Sequence, residues 1–322
     1  GTPALGVGIL LALIDQWGEK VSPLYVPMGA SLASKLGLGF SMVKRGQLDV
    51  LRELVGRKSY KGAMDMVGQA FPEHERSSFY DLLAAGYRWV NFDFEGCLRH
   101  LIKAEQHVIS SNRDPLVELK HELHNLVKED SNRDRARALL VNLVEVMGLN
   151  LEKGQYAYLL GNFFRFHEGF MQYLLSEEAG VKFEGNGRGL DREWLKEHRG
   201  LEAYLDQIAE LQWKGRDLNR RVLKAIVGYY VENGVLESAL MGLLEKMEPL
   251  AELRNKSIIA HEYQGLNKEV LEERLNGSLE ELMRLILMTV REHLGGEPDF
   301  LDRLNQVIFR EIQLKKEGIF GR

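Results

Sequence analysis

The chain has 322 residues, 45% hydrophobic and 28% charged, with a formal net charge of −5. This composition supports ordinary packed cores in two or three domains, and seven prolines without a low-complexity tract argue against long disorder. The acidic balance does not suit a stoichiometric nucleic-acid binder built on a basic domain, but it leaves room for an enzyme that touches RNA at one cleft.

The chain opens GTPALGVGILLALIDQWGEKVSPLYVPMG. Thr2 followed by Pro3 offers a capping hydroxyl and a proline in the first turn, which predicts a helix running to about Trp17. Val21 to Val26, bounded by Gly18 and Gly29, reads as a strand, and helix followed by buried strand is the rhythm of an α/β unit. One such unit does not close a sheet, so the remainder of that domain is expected before Gly1 or on another chain, and the sequence reads as a fragment or a processed product. The longest clean apolar run, Leu5 to Ile14, is shorter than the roughly 20 residues of a membrane span and lacks the basic lead-in of a signal peptide. Cys97 is the only cysteine. It allows no intramolecular disulfide, and the expected setting is a reducing cytoplasm with no membrane partner.

After about residue 60 the spacing of apolar residues is helical throughout. The segment 77 to 109 has that spacing with a break near Asn91. SNRD occurs at 111–114 and again at 131–134, each time ahead of a helical pattern, and is expected to serve as cap and turn. Helices are expected over 156–175, 197–211, 217–232, 235–263, 268–294 and 298–316, with a glycine-rich loop, EGNGRG, at 184–189. The fold class is therefore mainly α, with an N-terminal α/β remnant.

Four clusters are candidates for chemistry. HELH, with His121 and His124, resembles a zinc-protease motif, but its second histidine comes at i+3 where that motif needs i+4. No metal site is expected. Phe163, Phe164, Phe166 and Phe170 recur at helical spacing and read as core, with base stacking as the alternative; Arg165, His167 and Glu168 read as the polar face between them. Lys214, Arg216, Arg220, Arg221 and Lys224 read as a solvated helix face, with steering of a phosphate backbone as the alternative.

The fourth cluster is LRNKSIIAHE, residues 253–262. On a continuous helix seven residues turn through about 700°, so Arg254 and His261 share a face about 10 Å apart along the axis. Both side chains are long enough to converge on one group, and Asn255 sits one position round to brace a neighbour or place a substrate. A guanidinium fork suits phosphate, and an imidazole exchanges protons near neutral pH.

RNKSIIAH resembles the R-N-x(4–6)-H signature of HEPN ribonucleases, over roughly residues 150 to 322. The opening Gly1-Thr2-Pro3, followed by a helix, resembles the ligand loop of a CARF domain, a Rossmann-like module, over about residues 1 to 60. Together they resemble the CARF–HEPN ribonucleases of type III CRISPR systems. The resemblance implies three segments: a partial CARF segment at 1–60, a helical linker domain at 61–150 and a HEPN ribonuclease domain at 151–322. It implies catalysis by Arg254, Asn255 and His261 without metal or cofactor, and ligand binding at Gly1, Thr2 and Pro3. It also implies a homodimer whose two motifs line one site for single-stranded RNA, with cyclic oligoadenylate as the allosteric activator. Leu253, Ile258 and Ile259 are candidate contacts on the pairing face. The alternatives are a non-catalytic HEPN-like domain that binds a nucleotide or a partner, and a helical adaptor in which the motif is only surface.

Overall fold

The structure, a computed structural model, describes residues 46–70, 77–127, 132–184, 189–208, 211, 213, 218–256 and 265–320. The helix and strand expected between Thr2 and Val26 lie outside these residues. The first half of the described chain contains α1 (residues 46–56), α2 (Tyr60–Ala70), α3 (Ser78–Val90), α4 (Phe94–Glu105), α5 (Arg113–Val127), α6 (Asn132–Glu152) and α7 (Tyr156–Tyr173). A π-helical turn, Leu174–Glu178, extends α7. Then come α8 (Arg192–Glu197), α9 (Arg199–Gln207), α10 (Arg220–Glu232), α11 (Ser238–Lys256), α12 (Lys268–Leu275), α13 (Leu279–Thr289) and α14 (Phe300–Phe320). A second π-helical turn, Val290–Leu294, follows α13. The extended structure among the described residues is one isolated antiparallel bridge, Phe183 with Leu190, at the base of the glycine-rich loop. The mainly α class expected from the sequence is the class observed.

Local chemistry sets most of these boundaries. Ser77 caps α3 by accepting from the Tyr80 N–H, and Asp93 caps α4 by accepting from the Gly96 N–H at 2.8 Å. The break expected near Asn91 falls between them, where Phe92 turns to φ 59°. The helix expected over 268–294 is divided. Asn276 takes a left-handed φ of 50° at the end of α12, and Ser278 caps α13. Asn-Gly-Ser inside an apolar pattern is a stop followed by a start, which the longer reading passed over. A short helix, α8, begins where no helix was expected, capped by Asp191.

The chain divides into two compact units, one formed by Gly1–Leu123 with Phe300–Arg322, the other by His124–Asp299. In the first, α14 is tied to earlier helices by polar cross-links. Tyr60 donates to Asn305 Oδ1 at 2.7 Å, and Asn305 Nδ2 donates to the Val55 carbonyl at 3.0 Å. Asn112, in the first SNRD, forms a 3₁₀ turn ahead of α5, is buried, and donates to Glu311 Oε1 at 2.9 Å. Trp89 stacks on Phe300 with ring centroids 3.7 Å apart. Gly86 faces the Tyr60 ring so closely that a Cβ there would stand 2.6 Å from it, so only glycine fits.

In the second unit α6 and α7 pack along each other, joined by a tight turn with Gly154 at φ 64°. Leu140, Val144 and Met147 of α6 join the same core as Phe163, Phe166 and Phe170 of α7. The boundary expected at 150/151 falls inside α6, because that helix supplies one wall of this core. α10 and α11 pack on α7 as well.

Phe166 is fully buried, so Phe166→Ala should destabilise the protein by about 3–5 kcal/mol through lost contacts and a residual cavity. Tyr158, two turns earlier and 70% exposed, should tolerate alanine within about 0.5 kcal/mol. Urea unfolding of the two variants beside wild type measures the contrast.

Candidate functional site

The sequence places its strongest candidate, Arg254, in the last turn of α11. That helix contains Pro249, which has no N–H to donate and crowds the carbonyl four residues back. The turn beyond it is held by packing: Leu250, Ala251 and Leu253 are all buried in the unit's core. Leu253 was expected at a pairing face between chains; it is instead 1% exposed within its own chain.

Arg254 lies on the flank of that buried stripe and is half-buried. Its guanidinium carbon stands 4.6 Å from the centroid of the Phe164 ring, which is contributed by α7. That distance is within the range of a cation–π contact. Asn255 is the next residue of α11. Its side chain, the whole of His261, and Gly1, Thr2 and Pro3 lie outside the described residues.

Below Arg254, toward the start of α11, lies a partly buried ionic group. Arg220 of α10 donates to Glu248 of α11, and Lys224, one turn along α10, approaches the same carboxylate at 3.8 Å. Arg220 is 9% exposed. The basic run at 213–224, expected as a solvated face, is therefore divided: Arg221 is exposed while Arg220 turns inward, and Lys214 and Arg216 lie outside the described residues. The reason is that Glu248 offers a charge partner at a site where Val222, Leu223 and Ile226 bury α10 against its neighbours. An arginine enters a core only with such a partner, and removing one member of the pair leaves the other buried and uncompensated.

His167 corrects the sequence reading more sharply. It was assigned to the polar face of α7, yet it is fully buried, with neither ring nitrogen hydrogen-bonded among the described residues. The spacing carries the signal: His167 stands four residues after Phe163 and three before Phe170, on the core face. Burial pushes its pKa down to about 4, and the nearby cations Arg220 and Lys224 push the same way. The Leu244 carbonyl opposes them but does not meet the geometry of a hydrogen bond. The ring is neutral at physiological pH. The aromatic residues are otherwise core as expected, with Phe164 as the exception, half-buried beneath Arg254. Its signal was its position one residue past Phe163, at the edge of the buried stripe.

His121 and His124 are both exposed on α5. Among the described residues no three His, Cys, Asp or Glu side chains converge as a metal-ligand set, and no helix is long and apolar enough to cross a membrane.

The family description "Cas_Csm6 HEPN domain" matches residues 126–309, more than half of the chain and all of the second unit's described core. Among solved structures, the fold is similar to that of Enterococcus italicus Csm6 bound to cyclic hexa-2′-fluoro-hexa-dAMP. The TM-score is 0.54 at 14% identity, covering 97% of this chain and 73% of that one. No curated protein matches the sequence significantly.

The buried His167 predicts a specific pH dependence. Below its ordinary pKa of 6.5 the unfolded histidine takes up a proton that the folded one refuses until about pH 4. The contribution is therefore fully present above pH 6.5 and is lost as pH falls toward 4, amounting to about 3 kcal/mol. Chemical denaturation at several pH values should show a shallower decline between pH 6.5 and 4 for His167→Leu than for wild type. Parallel profiles would contradict the assignment.

Proposed function

This chain belongs to the Csm6 HEPN domain family, and we propose on that footing that it is a metal-independent endoribonuclease cleaving single-stranded RNA. The observation that carries the proposal is Arg254. It stands at the end of a well-anchored helix inside the matched region, with its guanidinium against an aromatic ring and not in the core.

The chemistry needs only what RNA and this motif supply. Each phosphodiester has a 2′-OH beside it. In-line attack forms a bond from O2′ to phosphorus and breaks the bond from phosphorus to O5′. A proton leaves the 2′-OH and another reaches O5′, giving a 2′,3′-cyclic phosphate and a 5′-hydroxyl. Charge develops on the phosphoryl oxygens during the step. Arg254, always charged and planar, stabilises it. His261 exchanges the proton, as an imidazole does near neutral pH, and Asn255 orients one of the two or the substrate.

One copy of the motif supplies one arginine and one histidine, while acid, base and charge stabilisation act on a single phosphate. A two-fold homodimer brings both copies of the motif to one phosphate, where the arginine of one chain acts with the histidine of the other. Gly1-Thr2-Pro3, at the start of an expected helix, belongs to the activating module, where free N–H groups and the helix dipole hold cyclic oligoadenylate. The setting is CRISPR antiviral defence in the cytoplasm.

The test is cleavage of a single-stranded RNA in EDTA, with the ends of the products identified. Wild type should cleave and leave 2′,3′-cyclic phosphate. Arg254→Ala and His261→Ala should each lose activity by at least about a hundredfold, the scale of removing a charge stabiliser or a general acid–base group. Cleavage restored only by added Mg²⁺, or undiminished in both variants, would favour the non-catalytic reading of the domain.

A further inference from the structure

We propose that Phe164 is the positioning residue for Arg254. The inference rests on the reading of Arg254 as the arginine that meets the scissile phosphate. It goes further by assigning a role to a residue outside the R-N…H motif, about ninety positions away in sequence.

Three observations carry it. The first is geometry: the guanidinium carbon lies 4.6 Å from the Phe164 ring centroid. A guanidinium over an aromatic face is attracted to it and held in place. The second is burial. Phe163, Phe166 and Phe170 are 0–1% exposed and fill the core, whereas Phe164 is half-buried on the flank. Its ring is spent on Arg254 and not on core packing. The third is the construction of α11. Pro249 interrupts the helix's own hydrogen-bond ladder one turn before the arginine, so the direction of the last turn depends on what it packs against. Leu250, Ala251 and Leu253 fix the backbone of that turn. The Phe164 ring meets the end of the side chain that emerges from it.

The role is positioning, because the ring touches the arginine and not the phosphate. An apolar replacement without a π face should loosen the guanidinium while leaving its charge in the site. Loss of such a contact corresponds to about a three- to thirtyfold effect.

Steady-state RNA cleavage by wild type, Phe164→Leu, Phe164→Met and Phe164→Tyr tests the assignment, with Arg254→Ala and Arg254→Lys alongside. Phe164→Leu and Phe164→Met should lower kcat about three- to thirtyfold with KM changed little, and thermal stability should stay near that of wild type. Phe164→Tyr, which keeps the ring face, should restore kcat. In an Arg254→Lys background, which lacks the planar group, Phe164→Leu should cost markedly less than it does in wild type. A Leu variant with wild-type kcat, a Tyr variant as slow as the Leu variant, or an undiminished cost beside Arg254→Lys would each overturn the proposal. If Arg254→Ala is inactive in the same assay, such a result leaves the ribonuclease reading standing. Full activity of Arg254→Ala sinks both.

Discussion

The helical register of α7 is the constraint on which the site depends. Phe163, Phe166 and Phe170 must face the core, since they are the largest fully buried side chains of the second unit. Once they do, the 100° step of an α-helix leaves no freedom for their neighbours. Phe164 is carried to the flank, beneath Arg254, and His167 is carried inward. One rotation of one helix thus sets both the platform under the candidate arginine and the burial of an unpaired imidazole. A change that rotated α7 to release His167 would also withdraw the ring from Arg254.

The facing helices answer that register. α11 buries Leu244, Met247, Ala251 and Leu253 and turns Arg254 toward α7, while Glu248 receives Arg220 from α10. The Arg220–Glu248 pair is a weak source of net stability, and it compensates the buried charge of Arg220. Misplacing either helix would leave a charge in the core without its partner. His167, close to the same cations, adds a second electrostatic constraint by staying neutral. Arg254 is half-buried with a packed core behind it, which is the arrangement a pre-organised charge stabiliser needs.

Much of this was legible in the sequence, and the parts that were not have physical reasons. The all-helical class, the core role of Phe163, Phe166 and Phe170, and the break near Asn91 follow from periodicity and capping chemistry. So does the placement of Arg254 on a helix. The Asn276-Gly277-Ser278 stop was written plainly and passed over, because the apolar pattern continues across it. Arg220 and His167 were misread for a different reason: residue type suggested solvent while spacing pointed inward. Spacing was the better guide, since a buried stripe does not skip a position to suit one side chain. The pairing of Phe164 with Arg254 joins two helices ninety residues apart, and periodicity within either helix cannot reveal it. The roles proposed for Asn255 and His261 rest on the motif, which lies inside the matched region, and that of Gly1-Thr2-Pro3, which lies outside it, rests on the opening tripeptide alone.

The central claim is that two copies of this chain build one RNA-cleaving site. Mixing two inactive chains, Arg254→Ala and His261→Ala, measures it directly. After exchange of subunits, half of the dimers contain one intact arginine and one intact histidine. The account predicts that the mixture cleaves single-stranded RNA at a rate neither variant reaches alone, and that the recovered activity tracks the heterodimer fraction. A mixture as inactive as its components, with heterodimers demonstrated by mass spectrometry, would contradict the shared site.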